Sequence, residues 1–390
     1  MEIQKLKDIC LTEITDGTHQ TPTYSEYGYI FLSSKNVTTQ KIDWDNVMFI
    51  PEKLHEELYK RVAPQIDDIL LAKNGTTGVA AIVDRDIVFD IYVSLALIRP
   101  NTEIVMPRYL LYAINNPVVK GYFDSSLKGI GVPNLHLKNI RETPIKIYDL
   151  ETQKAIVEKL DKVCELISLR KQQLAKLDEL VKARFVEMFG DCKTNPKNWK
   201  TKALEKIANV GSSKRVFVEE LQDSGIPFYR GTEIGALAEK KVVKPELFIT
   251  EEHYKQLCET TGNPQKGDLL MPSICPDGRI WIVDTDEPFY FKDGRVLWVH
   301  LTSANYNSVF LLYTLKDRIM TDYASIASGT TFAELKIFAL KKCKVFDVPL
   351  ELQNQFATFV ARIDQQKQTV QQSLEKLELM KKALMQEYFG

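Results

Sequence analysis

The chain has 390 residues, of which 44% are apolar and 26% charged, with a formal net charge of −1. This is the composition of an ordinary globular protein with room for more than one core, and its neutrality counts against a protein that grips nucleic acid by its own charge. Cys10, Cys164, Cys192, Cys258, Cys275 and Cys343 form no C-x-x-C pair, the opening Met1-Glu2-Ile3-Gln4-Lys5 lacks an apolar leader core, and no run of roughly 18 apolar residues occurs. We therefore expect no bound metal, no membrane span and a cytoplasmic location.

Residues 1–149 carry short β-rich runs: Tyr29-Ile30-Phe31-Leu32, Ile69-Leu70-Leu71-Ala72, Val79-Ala80-Ala81-Ile82-Val83 and a run from Tyr92 to Ile98. Turn residues separate them, and helical patterns occupy 51–61 and 107–123, which predicts a mixed α/β unit without regular strand–helix alternation. A long helix is predicted over 150–190. Its apolar positions Ile156, Leu160, Val163, Ile167, Leu174, Leu177, Val181 and Met188 step by four and three, with Arg170 and Arg184 filling the gaps. About 40 such residues make a rod of roughly 60 Å. Gly190 ends it, and a polar linker runs to Trp199.

The remainder repeats what precedes it. Residues 191–346 form a second α/β unit and 347–390 a second long helix. The two helices align without a gap at an offset of 200, with 12 identities, including Leu150/Leu350, Glu151/Glu351, Gln153/Gln353, Phe189/Phe389 and Gly190/Gly390. Asp68-Ile69-Leu70-Leu71 answers Asp268-Leu269-Leu270-Met271, Gly78 answers Gly278, and Gly129 answers Gly329. The second seam runs Phe356, Val360, Ile363, Val370, Leu374, Leu377 and Leu384, with Lys367 and Lys381 interrupting it. Each seam needs an apolar partner. The linker after Gly190 is too short to return along a rod of roughly 60 Å, so an antiparallel pairing within the chain is expected. The fold class is thus α+β: two mixed α/β domains separated and joined by two long helices forming an intramolecular antiparallel coiled coil, as a pseudo-two-fold repeat.

A catalytic constellation is not found. There is no phosphate loop, no G-x-G-x-x-G, no H-E-x-x-H and no G-x-S-x-G, and the Asn-Pro-Pro-Tyr of adenine N6-methyltransferases is missing. Glu334-Leu335-Lys336 with Asp322 upstream has the form of a nuclease fragment, but the equivalent place in the first unit is Asn134-Leu135-His136. The polar loops are richer. Thr18, His19, Gln20, Thr21, Ser34, Lys35, Asn36, Lys73, Asn74, Thr76, Thr77, Asn134, His136 and Lys138 in the first unit are side chains suited to phosphates and base edges. Ser213, Lys214, Arg215, Arg230, Thr232, Ser273, Arg279, Thr330, Thr331 and Lys336 are their candidates in the second.

The order of variable domain, helix, variable domain, helix resembles the specificity (S) subunit of type I restriction-modification systems. Asp16-Gly17-Thr18-His19-Gln20-Thr21-Pro22, Phe31-Leu32-Ser33-Ser34-Lys35-Asn36-Val37, Leu71-Ala72-Lys73-Asn74-Gly75-Thr76-Thr77-Gly78, Glu187-Met188-Phe189-Gly190-Asp191 and both Leu-Glu-x-Gln helix openings carry the likeness. The resemblance implies a non-catalytic subunit whose two domains each read half of a split double-stranded DNA site. It also implies that the helices dock two methyltransferase (M) subunits, with restriction (R) subunits joining them. S-adenosylmethionine, ATP and Mg would then sit on those partners and no cofactor on this chain. The loops differ between units (Asn74 against Ile274, Val79 against Arg279), so the two half-sites are expected to differ. A coiled-coil scaffold with two protein- or ligand-binding domains, and a stand-alone methyltransferase or nuclease, are the alternatives.

Overall fold

The structure, a computed structural model, describes residues 1–127, 134–328 and 333–390. The chain packs as two compact units, Met1–Gln172 with Gln371–Gly390, and Gln173–Val370. The division falls inside both long helices, so each unit owns a globular part and one half of each helix.

In chain order the first globular part holds β1 (Glu2–Lys5), β2 (Thr15–Asp16), β3 (Tyr29–Leu32), β4 (Met48–Ile50), α1 (Glu52–Tyr59), β5 (Ile69–Ala72), β6 (Ala80–Ile82), β7 (Phe89–Ile91), β8 (Leu95–Ile98), α2 (Pro107–Ile114), α3 (Pro117–Ser126), α4 (Leu137–Arg141) and β9 (Pro144–Ile147), followed by the long α5 (Leu150–Phe189). The second holds β10 (Thr201–Ala203), β11 (Ala208–Gly211), β12 (Ile226–Tyr229), α6 (Gly231–Ala238), β13 (Phe248–Ile249), α7 (Glu251–Thr261), β14 (Leu269–Pro272), β15 (Trp281–Ile282), β16 (Tyr290–Phe291), β17 (Val296–Leu301), α8 (Ser308–Ile326), β18 (Ala327–Ser328), β19 (Glu334–Leu335), α9 (Ile337–Lys341) and β20 (Lys344–Phe346), followed by α10 (Leu350–Phe389).

Both parts use one topology. A four-stranded antiparallel sheet runs β2-β8-β5-β6 in the first and β11-β17-β14-β15 in the second. A three-stranded sheet runs β4-β3-β7 and β13-β12-β16, with β3 parallel to β7 and β12 parallel to β16. The unbroken apolar run of β5 follows from burial on both faces: Ile69 and Leu71 enter one core, Leu70 and Ala72 the other. In β14, Leu269 and Met271 face one core and Leu270 the other.

Two predicted elements change. The helix expected over 107–123 is α2 and α3, because Asn116 caps a new helix, its Oδ1 accepting from Val118 and Val119 N–H at 2.7 and 3.0 Å, with Pro117 in its first turn. The second unit has Lys316-Asp317 there, and α8 runs through unbroken. The strand expected from Tyr92 begins instead at Leu95, since Tyr92-Val93-Ser94 form the turn that joins the two sheets.

Both long helices are 40 residues. The shared Leu-Glu-x-Gln opening now has a physical reason. Gln153 is fully buried; its Oε1 accepts from Met106 N–H (2.8 Å) and its Nε2 donates to the carbonyls of Ile104 (2.9 Å) and Tyr148 (2.8 Å). Gln353 does the same with Asn307 N–H (2.9 Å) and the carbonyls of Asn305 (3.1 Å) and Val348 (2.8 Å). Each glutamine ties a helix start to the loop before α2 or α8.

Within each unit the helix halves run antiparallel. In the first, Lys159 Nζ donates to Tyr388 Oη (3.2 Å) and Arg170 Nε to Ser373 Oγ (3.2 Å), so α10 numbers fall as α5 numbers rise. In the second, Asp178 pairs with Lys367, while Phe185 and Phe189 each stack edge-on against Phe356 at 5.5 Å. The seam residues Ile156, Leu160, Val163, Phe356, Val360, Ile363 and Leu374 are buried, whereas Leu174, Leu177 and Leu377 are half-buried. Val157, Phe185, Phe189, Met385 and Phe389 are buried too. They fall off the strict seam because the helix ends pack into globular cores: Ile156, Val157, Leu160, Met385 and Phe389 with Tyr109 in one, and Val181, Phe185, Phe189 and Phe356 with Phe310 in the other.

Gln353→Leu leaves one N–H and two carbonyls without a partner in a dry site, so it should destabilise its unit by about 2–4 kcal/mol in denaturant titration. Gln153→Leu should cost a similar amount, and a loss under ~0.5 kcal/mol from either would remove the clamp from the account of the fold.

Candidate nucleic-acid interface

The topology gathers separate loops at one end of the two sheets in each unit. In the first unit β2, β3, β5 and β7 end there and β8 begins there. Backbone bonds sew the loops together: Thr18 N–H to Ile91 C=O (3.1 Å), Tyr92 N–H to Leu32 C=O (2.8 Å), Lys73 N–H to Ser94 C=O (2.9 Å) and Leu135 N–H to Lys73 C=O (2.8 Å). Ser34 N–H donates to Ser94 Oγ (2.9 Å), and Asn74 and Asn134 bridge. Thr18, His19, Gln20, Thr21, Ser34, Lys35, Asn74, Thr76, Thr77, Asn134 and His136 are thereby brought onto one surface. Gly75 and Gly78 hold the hairpin loop after β5 at φ of 74° and 82°, and at Gly78 an added Cβ would meet Phe123 at 3.2 Å.

Two first-unit candidates turn inward instead. Lys73 is 6% exposed, and its ammonium meets the buried Asp16 carboxylate at 2.5 Å. Asp16 also accepts from or contacts His19 Nε2 (3.1 Å), and its backbone carbonyl accepts from Arg61 (2.9 Å). Asn36 is buried, donating to the carbonyls of Asp43 (3.2 Å) and Asn46 (2.9 Å). These two side chains shape the loops rather than face solvent: Asn36 sits in a tight turn and also accepts from Ser33 N–H, and Lys73 continues a strand buried on both faces. Lys138 lies apart on α4, lining a cleft with Lys7, Glu13 and Arg141.

The second unit builds the same end with different chemistry. Ser213 Oγ donates to Phe291 C=O (2.6 Å), Lys292 N–H to Tyr229 C=O (2.9 Å), Ser273 N–H to Arg295 C=O (2.8 Å) and Leu335 N–H to Ser273 C=O (2.7 Å). Lys214, Arg215, Arg230, Thr232 and Lys336 are exposed on it, Arg279 is half-buried, and Ser273 is buried at 2%. Thr330 and Thr331, like Gly129 and Gly329, lie outside the described residues. Each of these arginines has an acid: Arg215 meets Asp293 (3.2 Å), Arg230 meets Glu233 (2.5 Å) and Glu246 (3.2 Å), and Arg279 meets Asp277 (2.8 Å). Arg295 and Lys292, which sequence reasoning passed over, belong to this surface; their turn between β16 and β17 is one residue longer than its counterpart, which hid the correspondence.

Strand register aligns the two surfaces. Asp16 corresponds to Ser212 and Lys73 to Ser273, so an ion pair in one unit becomes two serines in the other. Ser33 N–H donates to Asn36 Oδ1 (3.0 Å) as Arg230 N–H does to Glu233 Oε2 (2.9 Å), one local turn with two different side-chain pairs. Burial alone would raise the Glu233 carboxyl, but hydrogen bonds from Arg230, Thr232 and backbone N–H groups outweigh it and hold it at about 2, against a usual 4.5. Of the nuclease-like fragment, Asp322 pairs with Arg318 (3.5 Å) and Glu334 with Arg295 and Lys336. Among the described residues no group of three His, Cys, Asp or Glu side chains is placed to hold a metal ion, and no helix is long and apolar enough to cross a membrane.

One scaffold used twice, with constant strands and divergent loop chemistry, defines a duplicated recognition module. The family described as "Type I restriction modification DNA specificity domain" matches residues 1–179 and again 196–379, and the chain belongs to that family. A Methanocaldococcus jannaschii protein provisionally named type I restriction enzyme MjaX specificity subunit is 24% identical over 411 aligned positions, covering 98% of this chain and 91% of that protein. The MjaIX specificity subunit of the same organism is 28% identical over 197 positions, covering 47% of this chain and 43% of that one. In fold, the chain is similar to the type I restriction-modification S subunit from M. genitalium, with a TM-score of 0.58 at 14% identity over 100% of this chain and 96% of that one. It is also similar to a chain of a type I restriction-modification assembly, with a TM-score of 0.59 at 18% identity over 100% and 97%.

Lys73→Ala strands a buried carboxylate and should cost about 3–5 kcal/mol in denaturant unfolding, whereas the exposed Lys35→Ala should stay within ~0.5 kcal/mol. Because the Glu233 carboxyl is depressed in the folded chain, its contribution is present above pH 4.5 and is lost as pH falls toward 2. Glu233→Gln should therefore narrow the gap in melting temperature between pH 5.5 and pH 3 relative to the parent chain.

Proposed function

We propose that the chain is the DNA-reading subunit of a type I restriction-modification complex, with domains 1–149 and 191–346 each reading one half of an asymmetric bipartite site. The observation that carries this reading is the pair of loop surfaces: the same topological place in both units, built by the same backbone bonds, with different side chains. Hydrogen-bond donors and acceptors differing at matched places are what two different half-sites require. The exposed and half-buried loop residues Thr18, His19, Gln20, Thr21, Ser34, Lys35, Asn74, Thr76, Thr77, Asn134 and His136 serve one half. Lys214, Arg215, Arg230, Thr232, Arg279 and Lys336 serve the other, with Thr330 and Thr331 as further candidates.

The helices over 150–190 and 347–390 set the spacing between readers and dock two methyltransferase subunits, restriction subunits joining in the full complex. Leu180 and Met380, equivalent at the repeat offset, are 47% and 52% exposed, which supports two similar apolar footholds for two copies of one partner. S-adenosylmethionine, ATP and Mg belong to those partners, which also supply the positive charge that this chain, at a net −1, does not.

Methylome sequencing of cells with and without the gene tests the reading. We expect one split adenine-methylated motif, with unlike halves, to vanish with the gene. Exchanging the loops of domain 191–346 should change only one half; a palindromic motif, or a change in both halves, would contradict it.

A further inference from the structure

The matched surfaces differ most sharply at one register position. In the first unit it is Ser94, 6% exposed, whose carbonyl accepts from Lys73 N–H and whose Oγ accepts from Ser34 N–H. In the second it is Arg295, whose carbonyl accepts from Ser273 N–H (2.8 Å) in the same way, but whose side chain is 59% exposed. The first unit spends its lysine at position 73 inside the fold, on Asp16; the second places a serine there and an outward arginine across the ladder.

Arg295 is held in place. Its N–H donates to Asp293 C=O (2.7 Å), and an added Cβ on Gly231 would lie 3.4 Å from its carbonyl oxygen, so the backbone is enclosed. Its guanidinium Nη1 donates to Glu334 Oε1, and the other Glu334 oxygen faces Lys336 Nζ at 3.6 Å. Glu334 is itself fixed, because the next residue, Leu335, donates its N–H to Ser273 C=O (2.7 Å). Ser273 thus tethers the arginine through its N–H and the carboxylate through its C=O. A guanidinium carries five N–H donors in a rigid fork, and one carboxylate contact orients the fork without exhausting it.

A phosphate contact needs charge and tolerates a loose side chain. A base contact needs a fixed plane, and the carboxylate beside it penalises the approach of a phosphate. The partner that a buttressed guanidinium fork fits is the O6/N7 edge of guanine in the major groove. We infer that Arg295 reads a guanine in the half-site of the second domain, with Glu334 as its positioning residue. This rests on the proposed reading of the loop surface as the DNA-facing one.

The test uses the full chain in complex with its methyltransferase subunits. Methylation rates are measured on duplexes carrying the native motif and each single-base change in both halves. The parent complex should require guanine at one position, and Arg295→Ala should reduce discrimination at that position alone by about ten- to one-hundred-fold. Glu334→Gln should relax the same position to a smaller extent, and Arg295→Lys should not restore it, because an ammonium is not a fork. If Arg295→Ala lowers the rate on every duplex equally, Arg295 meets a phosphate and the inference is overturned. It is overturned as well if the relaxed position is an A·T pair. If the parent complex methylates no sequence in a chain-dependent way, the proposed function fails, and this inference with it.

Discussion

A buried glutamine at the start of each long helix carries the architecture. An isolated helix is an element with no fixed direction relative to the domain that precedes it. Gln153 and Gln353 remove that freedom by three hydrogen bonds each, made in sites with no solvent exposure. An amide is suited to this work because it donates and accepts at one end and carries no charge to desolvate. Asp149, which caps the first helix through Thr152 N–H (2.9 Å), has Pro349 as its counterpart, so the caps have diverged while the clamps have not.

From the clamped start, each helix gains most of its burial at its ends. Phe189 and Phe389 close the two helices inside globular cores, at 0% and 3% exposure, while in the middle of the seam Val370 and Leu374 are buried and Leu174, Leu177 and Leu377 only half-buried. Cations at the seam interruptions are absorbed laterally: Arg170 on Ser373, Lys367 on Asp178, Arg184 on Glu187 and over the Phe359 ring. Such partly exposed contacts contribute little stability and do more to set which residues lie opposite one another. The helix pair therefore behaves as two extensions of two cores more than as an autonomous coiled coil.

The domains repeat the same division between constant frame and variable content. Asp68 and Asp268 both accept from a glutamine N–H three residues earlier, at 2.8 and 2.9 Å. Arg99 completes one carboxylate through two donors, and Trp298 with His300 completes the other. A frame that tolerates such exchanges inside also tolerates them in its loops, where the proposed function needs the two units to differ. The first unit's surface is mostly neutral amides and hydroxyls; the second is richer in cations, its arginines held on carboxylates. On the proposed reading, unlike base preferences follow from those chemistries.

The repeat, the two long helices and their seam were legible in the sequence, because each is a local pattern or a match at constant offset; that the polar loops gather at one end of the sheets was not, because strand pairing brings them together. The likeness of Asp16-Gly17-Thr18-His19-Gln20-Thr21-Pro22 and its companions to a family was legible for the same reason. Other features were decided only by the tertiary structure. Lys73 and Arg295 are both basic residues next to a turn, yet one meets a buried carboxylate and the other solvent. Gln153 and Gln353 stand out in sequence only as repeated letters. Phe185 and Met385 fall off the heptad seam, yet are buried by the globular parts beside them. Periodicity records which face of an element is apolar, but whether a polar side chain is spent inside or left free depends on strand register and on partners far away in sequence, which only the assembled fold brings together.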